Sequence, residues 1–259
     1  MDSTPVLTGS GFRSEQFPDD GSPGLVVVTG ASSGIGAAVA RALSAAGRPL
    51  LLMARRAELL DALQLDRCLT ASVDVTDEEA VRAAVVHAER LHGPVDAIVN
   101  CAGVAHLGEF ATQHSEVWQE TLAVNVVGLM ITTRAVLTGM IERGSGSIVN
   151  ISSVAGRRGF ADHVAYCASK FAVEGLSAAL RSEVARHGVR VTVIAPGVVA
   201  TDLGRVAASE DAWLRRQQLV DLVDGGLPPD AVAAAVVRAI EAPPGECIHE
   251  LVLTHVRES

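Results

Sequence analysis

The sequence predicts an α/β protein built on a single doubly wound parallel sheet of about seven strands, with helices on both faces. The first observation behind this prediction is that short β-branched runs alternate with longer helical patterns from Leu25 onward. The second is a composition that is 49% hydrophobic and rich in Ala and Val, as expected where helices pack on buried parallel strands. This alternation is typical of βαβ units, whose right-handed crossovers place helices on both sides of a sheet.

Seven apolar runs are predicted as strands: 25–30, 49–55, 68–75, 95–103, 147–153, 189–197 and 248–254. Helices are expected from about Gly34, after the second and third strands, twice between the fourth and fifth, over about 163–187 and near 229–241. The stretch from Thr201 to about Pro228 is irregular. We therefore expect one domain over 24–259, preceded by a loosely ordered extension at 1–23 that is rich in Pro, Gly, Ser and Asp.

The overall charge excludes several classes of partner. A formal net charge of −9 gives no general attraction to nucleic acid or to anionic lipid. The first residues lack the basic start and apolar stretch of a signal peptide. No apolar run approaches the roughly 18 residues that a membrane span requires. We expect neither a nucleic-acid partner nor a membrane partner.

The four cysteines predict a reduced protein without a metal site. Cys68, Cys101, Cys167 and Cys247 stand far apart, with no CxxC pair and no His at metal-ligand spacing. Neither a zinc site nor a disulfide framework is indicated. We expect the four cysteines to be buried free thiols in a cytoplasmic protein.

A glycine-rich turn follows the first predicted strand and opens an Ala-rich helix. It runs from Thr29 and Gly30 through Ser32, Ser33, Gly34 and Ile35 to Gly36. Its glycines permit a tight turn and a close backbone approach to a pyrophosphate, while the helix N-terminus offers unpaired N–H groups. A purely structural strand-to-helix turn is the alternative.

The end of the second strand points to a phosphorylated ribose. Arg55 and Arg56 stand where a fold that binds NAD usually carries Asp or Glu, roughly 20 residues past the glycines. Arg55 can pair bidentately with a 2′-phosphate, which favours NADP. The alternative is a solvated pair that starts a helix.

Asp74, followed by Val75, ends the third strand and can accept a hydrogen bond from an adenine amino group. The alternative is a cap on the helix that follows.

A Tyr-Lys pair and a serine supply the predicted chemistry. Tyr166 and Lys170 are four residues apart, hence on one face of a helix, where the ammonium would lower the pKa of the phenol. Alone, this spacing also fits an ordinary helical pair. Ser153 closes an apolar strand thirteen residues before Tyr166, so a strand end and a helix can meet at one carbonyl.

Together, these motifs resemble those of the short-chain dehydrogenase/reductase family, with its TGxxxGxG turn and YxxxK site. The resemblance covers residues 25–254 and implies a Rossmann-like fold. It implies a catalytic tetrad of Asn125, Ser153, Tyr166 and Lys170, in which Asn125 anchors a water for a proton relay. The segment Asn100-Cys101-Ala102-Gly103 matches the family's NNAG, except that Cys101 replaces the second Asn.

The resemblance also implies the cofactor contacts. Pro196, Gly197, Val199 and Thr201 match the segment that orients the nicotinamide, and residues near 201–228 match a lid over the substrate. The full set of predicted cofactor-binding residues is Gly30, Ser32, Ser33, Gly34, Ile35, Gly36, Arg55, Arg56, Asp74, Val75, Asn100, Ala102, Gly103, Tyr166, Lys170, Pro196, Gly197, Val199 and Thr201.

The resemblance thus implies an NADP(H)-dependent oxidoreductase, or ketoreductase, that transfers a hydride between the nicotinamide and a carbonyl or alcohol. The C-terminal part resembles NADP-dependent 3-hydroxy acid, serine and antibiotic-pathway aldehyde reductases, which suggests a small or medium polar substrate and a role in secondary metabolism. Such enzymes are usually homodimers or homotetramers. Two alternatives stay open: a β-ketoacyl reductase acting on an acyl carrier protein, and a regulator that binds NADP(H) without chemistry.

Overall fold

The computed structural model describes residues 23–204 and 210–258. These residues contain one sheet of seven parallel strands in the order β3-β2-β1-β4-β5-β6-β7. The strands are β1 (Leu25–Thr29), β2 (Leu50–Ala54), β3 (Cys68–Ser72), β4 (Val95–Asn100), β5 (Gly146–Ile151), β6 (Val189–Pro196) and β7 (Glu250–Leu253). The predicted doubly wound α/β fold is confirmed. The predicted extension at 1–23 lies outside the described residues, apart from Pro23.

Eight α-helices connect the strands of the described chain. They are α1 (Gly34–Ala45), α2 (Ala57–Asp61), α3 (Glu78–His92), α4 (Ser115–Leu122), α5 (Leu129–Arg143), α6 (Val164–Val184), α7 (Glu210–Leu222) and α8 (Pro229–Ile240). A π-helical segment, Ala123–Gly128, joins α4 to α5.

Two apolar cores lie on opposite faces of the sheet. Along β1, Val26 and Val28 belong to one core, whereas Leu25 and Val27 belong to the other, as the two-residue period of a strand requires. Helices α1 and α8 cover the first face, and α3, α5 and α6 cover the second. Because both faces are covered, all five residues of β1 and of β2 are buried.

The strand order reverses between β1 and β4, which lie side by side. Open α/β sheets bind their ligands at such a switch point, outside the carboxyl ends of the strands. The Thr29 hydroxyl closes this point by accepting the backbone N–H groups of Cys101 and Ala102, each at 3.0 Å. The glycine turn after β1 is thereby held against the segment that follows β4.

Part of the stretch that looked irregular from sequence is helix α7, whereas residues 205–209 lie outside the described residues. Ala212 and Val223 are buried at its two ends. Leu214 and Leu222 are 50% and 58% exposed. Exposed leucines on α7 are compatible with a surface helix and with an apolar lid face, so the lid function of residues 201–228 stays a prediction.

The cysteines are unpaired, as predicted, but they are not all buried. Cys167 is a buried residue of α6, whereas Cys247 is exposed in the connection between α8 and β7. The connection lies at the surface, so the expectation of buried thiols fails for Cys247.

One helical stretch of the described chain, residues 115–143, is long and apolar enough to cross a membrane by length and composition. Within this stretch, α5 packs its apolar side chains Val136 and Met140 on the sheet. Thr132 and Thr133 of the same helix are buried and hydrogen-bonded to Asn100 of β4. These contacts are those of a core helix.

Candidate active site

The glycine turn is built for close backbone packing. Gly30 has φ +66°, and a Cβ there would lie 2.8 Å from the Cα and N atoms of Ala102. A Cβ at Gly36 would collide with the carbonyl oxygen of Gly30. Both positions therefore exclude any larger residue, and the turn brings the start of α1 directly to the switch point.

The start of α1 has the features of an anion site. Ser33 is the N-cap residue but makes no side-chain capping bond, so the first N–H groups of the helix are left to a ligand or to solvent. Gly34 has φ +54°, and a Cβ there would lie 3.0 Å from the Thr201 methyl group. A cleft of about 310 Å³ opens at this point, lined by Ser32, Ser33, Gly34, Ala37, Ala38, Arg41, Ala200, Thr201, Asp202, Pro229 and Asp230.

The two arginines after β2 take different positions. The Arg56 guanidinium donates to the hydroxyls of Ser32 and Ser33 at 3.1 and 2.8 Å, so it lies on the glycine turn. Arg55 is exposed and acts electrostatically on Asp74, where its charge helps to lower the pKa. Arg56 therefore bridges the two serines of the glycine turn, and contact of Arg55, the partner predicted from sequence, with a 2′-phosphate stays a prediction.

Asp74 forms a local turn after β3. Its Oδ1 accepts the Thr76 backbone N–H at 2.9 Å and the Thr76 hydroxyl at 2.7 Å. These two bonds are the main reason why the pKa of Asp74 lies below its usual value. The cap of α3 is Asp77, which accepts from Ala80 at 3.0 Å, so the capping alternative for Asp74 is wrong. Its contact with adenine stays a prediction.

Val75 is buried, and a Cβ at Gly128 would lie 2.6 Å from its methyl group. It therefore packs against the π-helical segment. Its role in cofactor binding stays a prediction.

Asn100 faces the interior. Its side-chain amide donates to Thr133 at 2.9 Å and to Asn150 at 2.8 Å, and its oxygen accepts from Thr132 at 2.7 Å. The Asn150 amide continues to Ser177 of α6 at 2.9 Å. This buried network ties β4 and β5 to α5 and α6, so the Asn100 side chain is a structural element and not a group free to meet the cofactor.

Gly103 separates two members of the tetrad. A Cβ at this position would lie 3.3 Å from Asn125 Oδ1 and 4.0 Å from Lys170 Nζ. The segment Asn100-Cys101-Ala102-Gly103, which begins at the last residue of β4, therefore lies between the glycine turn and helix α6. Cys101 lies in this segment, and burial raises the pKa of its thiol to about 12.

The structure brings Ser153 and Tyr166 together. Ser153 follows β5, Tyr166 lies in the first turns of α6, and the Ser153 hydroxyl lies close enough to the phenol to act on its pKa. Both residues are buried, and Ala105, Ala155 and Phe160 pack around the phenol. Burial raises the pKa of Tyr166 to about 12, and the Ser153 hydroxyl opposes that rise.

Lys170 lies below Tyr166 on the same face of α6. Its Nζ is 5.6 Å from the centre of the Tyr166 ring and donates to the Ile151 carbonyl at 2.8 Å. Burial lowers the pKa of Lys170 to about 8, while the charges of Cys101 and Glu174 oppose that fall. The sequence analysis expected the ammonium to lower the pKa of the phenol, but in this arrangement desolvation dominates and raises it.

Asn125 lies in the π-helical segment, a local widening that is frequent at functional sites. Its Oδ1 accepts the Val104 N–H at 2.8 Å, and its amide donates to the Val104 carbonyl at 2.9 Å and to Ser169 Oγ at 3.0 Å. The side chain thus fixes the loop after β4 to helix α6. The water that it was expected to anchor stays a prediction.

The segment after β6 lies next to the glycine turn. Val199 forms a parallel bridge with Leu227, and the Ala200 N–H donates to the Leu227 carbonyl at 2.9 Å. Thr201 reaches Gly34, as described above. Pro196, Gly197, Val199 and Thr201 therefore line the same edge of the sheet as the tetrad, and their contact with the nicotinamide stays a prediction.

An ion pair that sequence reasoning missed connects α7 to the site. Arg215 binds the Asp162 carboxylate with two hydrogen bonds, at 2.6 and 2.9 Å, four residues before Tyr166. The Asp162 side chain is only 7% exposed, and its backbone has φ +63°, a conformation that few non-glycine residues adopt. No local pattern could have found this pair, since its members are 53 residues apart.

Comparison with known proteins agrees with this geometry. The family described as short chain dehydrogenase matches residues 24–212. Glycine betaine reductase of Emericella nidulans is 39% identical over 235 residues, which are 88% of this chain but only 18% of that much longer protein. D-threitol dehydrogenase of Mycolicibacterium smegmatis is 38% identical over 224 residues, 84% of this chain and 86% of that one.

Among solved structures, the closed form of serine dehydrogenase complexed with NADP+ superposes with a TM-score of 0.84. It is 32% identical, and the match covers 91% of this chain and 96% of that one. The family match spans well over half of the chain, and the site geometry lies within it. The chain therefore belongs to the short-chain dehydrogenase family.

Proposed function

We propose that this chain is an NADP(H)-dependent oxidoreductase that transfers a hydride between the nicotinamide and a ketone or aldehyde, or the corresponding alcohol, on a small or medium polar substrate. The observation that carries the proposal is the convergence of Ser153, Tyr166 and Lys170 at the carboxyl edge of the sheet, beside the glycine turn. The similarity to D-threitol dehydrogenase and to serine dehydrogenase supports a hydroxylated polar substrate.

The residues present fit NADP(H). The uncapped start of α1 suits a pyrophosphate, because its N–H groups and the helix dipole favour negative charge. Arg56, held by two serine hydroxyls, supplies a guanidinium for a 2′-phosphate at the adjacent edge. When bound, the nicotinamide supplies or accepts the hydride.

Tyr166 acts as the general acid when a carbonyl is reduced. With a pKa of about 12, the phenol is protonated at neutral pH and can donate to the substrate oxygen. The Ser153 hydroxyl, which lies beside the phenol, donates to the same oxygen and stabilises the charge that develops there. The two hydroxyls thus define the position of the substrate oxygen.

Lys170 stabilises the charge that Tyr166 acquires. The Lys170 Nζ lies 5.6 Å from the centre of the Tyr166 ring, so its positive charge stabilises the phenolate that forms when Tyr166 gives up its proton, and a relay through water would return that proton. The bond to Ile151 holds the ammonium in place. Asn125 keeps Val104 and α6 in register around this pair.

The acyl-carrier-protein alternative needs a basic docking patch near the site. Its five candidate arginines are Arg157, Arg158, Arg205, Arg215 and Arg216, and Arg205 lies outside the described residues. Arg157 is paired with Glu250 at 2.8 Å, and Arg215 is paired with Asp162. Since carboxylates neutralise these two, a free small-molecule substrate is favoured.

Replacing Tyr166 by Phe tests the catalytic assignment and the regulator alternative together. Turnover should fall by about 10²–10⁴-fold, the usual contribution of general acid catalysis, while NADPH affinity stays within a few fold. The assay follows NADPH absorbance with a panel of free polyol-derived, hydroxy-acid and thioester-linked carbonyls. Wild-type binding of NADPH without turnover on any of them would favour the regulator, and turnover in the variant near that of the wild type would refute the role of Tyr166.

Adjacent serines provide a matched control. The Ser152 hydroxyl is buried and has no hydrogen-bond partner among the described residues, whereas that of Ser153 meets Tyr166. Ser153→Ala should lower kcat by about 10²–10³-fold, as removal of an oxyanion donor does, and Ser152→Ala should not. Equal losses would show that the effect is structural.

The cytoplasmic location, the homodimer or homotetramer, the lid function of residues 201–228 and a place in secondary metabolism stay predictions. Size-exclusion chromatography coupled to light scattering tests the oligomeric state.

A further inference from the structure

The last described residues fold back onto the segment that follows β6. We call residues 254–258 the C-terminal strap. After β7 ends at Leu253, the strap crosses the carboxyl edge of the sheet and brings the Glu258 carboxylate to the Val198 backbone N–H. Its two oxygens lie 3.2 and 3.0 Å from that nitrogen.

The strap is packed tightly on Gly197. The Gly197 N–H donates to the Leu253 carbonyl at 2.8 Å, which continues the pairing of β6 with β7. A Cβ at Gly197 would collide with the Glu258 carboxylate. The absence of a Cβ at Gly197 therefore lets the Glu258 carboxylate lie directly against this segment.

The other bonds of this segment lead to Leu227. The Leu227 N–H donates to the Val198 carbonyl at 2.8 Å, and its own carbonyl accepts from Ala200 at 2.9 Å. Val198 is thus held on one side by Leu227 and on the other by Glu258. Removing the carboxylate releases one of these two sides, directly before Val199 and Thr201.

We propose that Glu258 is a positioning residue, which holds residues 197–201 in the conformation that receives the nicotinamide end of the cofactor. The inference rests on the proposed function, since it assigns this segment to the nicotinamide. Among the described residues, the Glu258 carboxylate accepts a hydrogen bond from the Val198 backbone N–H, so Glu258 acts through the segment. A carboxylate suits the role because a charged acceptor binds an N–H group more strongly than a neutral one does.

The strap also offers a matched control. Arg257, the residue before Glu258, pairs with Asp224 at 2.9 Å, but both side chains are about 60% exposed, at 59% and 61%. Ion pairs this exposed contribute little. Arg257→Ala therefore changes the same strap without touching the bond to Val198.

Binding of two nucleotides to the full chain tests the proposal. NADPH carries the nicotinamide, whereas 2′-phospho-ADP-ribose contains the rest of the molecule and lacks the ring. Glu258→Ala should raise the Kd for NADPH about tenfold, the loss expected for one charge-assisted hydrogen bond. Its Kd for 2′-phospho-ADP-ribose should change less than about twofold. Isothermal titration calorimetry measures both without any turnover.

Two further variants sharpen the result. Glu258→Gln keeps an acceptor for Val198 and should recover most of the affinity for NADPH, and Arg257→Ala should bind both nucleotides as the wild type does. A loss that is equal for the two nucleotides, no loss at all, or a loss in Glu258→Gln as large as in Glu258→Ala would overturn the proposal. Failure of the wild type to bind either nucleotide would instead refute the proposed function.

Discussion

Replacing Arg56 by Ala tests how this chain distinguishes NADPH from NADH. The Arg56 guanidinium lies on Ser32 and Ser33, at the start of α1, whereas the charge of Arg55 helps to lower the pKa of Asp74. If Arg56 holds the 2′-phosphate, its removal costs a charge-assisted hydrogen bond that NADH never makes. The variant should therefore weaken NADPH and leave NADH almost unchanged.

The size of the effect follows from exposure. A hydrogen bond to a charged group contributes roughly 1.5–3 kcal/mol. Because Arg56 is exposed, solvent screening places the loss near the lower limit, which is about a tenfold rise in the Kd for NADPH. Arg55→Ala should cost less, since its guanidinium acts on Asp74 and makes no bond to the glycine turn.

The assay is a fluorescence titration with NADPH and NADH for the wild type, Arg56→Ala and Arg55→Ala, at two salt concentrations. The NADPH loss in Arg56→Ala should shrink at high salt, because salt screens exposed charges. A larger NADPH-specific loss in Arg55→Ala would return the role to Arg55. Equal losses for both nucleotides in Arg56→Ala would refute the assignment of a 2′-phosphate site to this edge.

Two other predictions concern Lys170 and Arg215. Burial lowers the pKa of Lys170 from 10.5 to about 8, so the unfolded chain binds the Lys170 proton more tightly than the folded chain does. Charged Lys170 therefore lowers the free energy of unfolding below pH 8. This loss of stability disappears as the pH rises toward 10.5. At about 1.4 kcal/mol per pKa unit, the penalty at pH 7 is roughly 3 kcal/mol. Lys170→Met should therefore be inactive, yet even after loss of the Ile151 bond it should be more stable than the wild type at pH 7, by roughly 1–2 kcal/mol in urea denaturation. Equal stability at pH 7, or an advantage that persists at pH 10.5, would contradict this prediction. Arg215→Ala removes the partner of buried Asp162. The variant should raise the KM for the carbonyl severalfold while the Kd for NADPH stays constant. A change in NADPH affinity alone would show that α7 serves the cofactor and not the substrate.

The order of strands and helices could be predicted from the sequence because each element has its own periodic signal. All seven strands were expected, and their ends differ from the observed ones by at most three residues. Tyr166 and Lys170 share a helical face by spacing alone, and Ser153 closes a strand. Since the carboxyl ends of parallel strands meet at one edge, these local signals suffice to predict a common site.

Helix α7 marks where the local signal fails. Its apolar residues have no consistent helical period, and two of its leucines are exposed, so the pattern did not distinguish it from a loop. One contact that ties α7 to the segment before α6 is the distant ion pair between Arg215 and Asp162. A sequence pattern does not encode a partner on another element.

The sequence by itself determined the α/β order, the glycine turn and the pairing of Tyr166 with Lys170, because these follow from periodicity and from spacing within one element. The complete tetrad, with Asn125, came from the resemblance to a family. Only the tertiary structure decided that Arg56 and not Arg55 lies on the turn, that Asn100 serves the buried network, and that Glu258 reaches Val198. The physical reason is that each of these contacts joins residues from separate elements. Their formation depends on how side chains are directed once the sheet has brought those elements together.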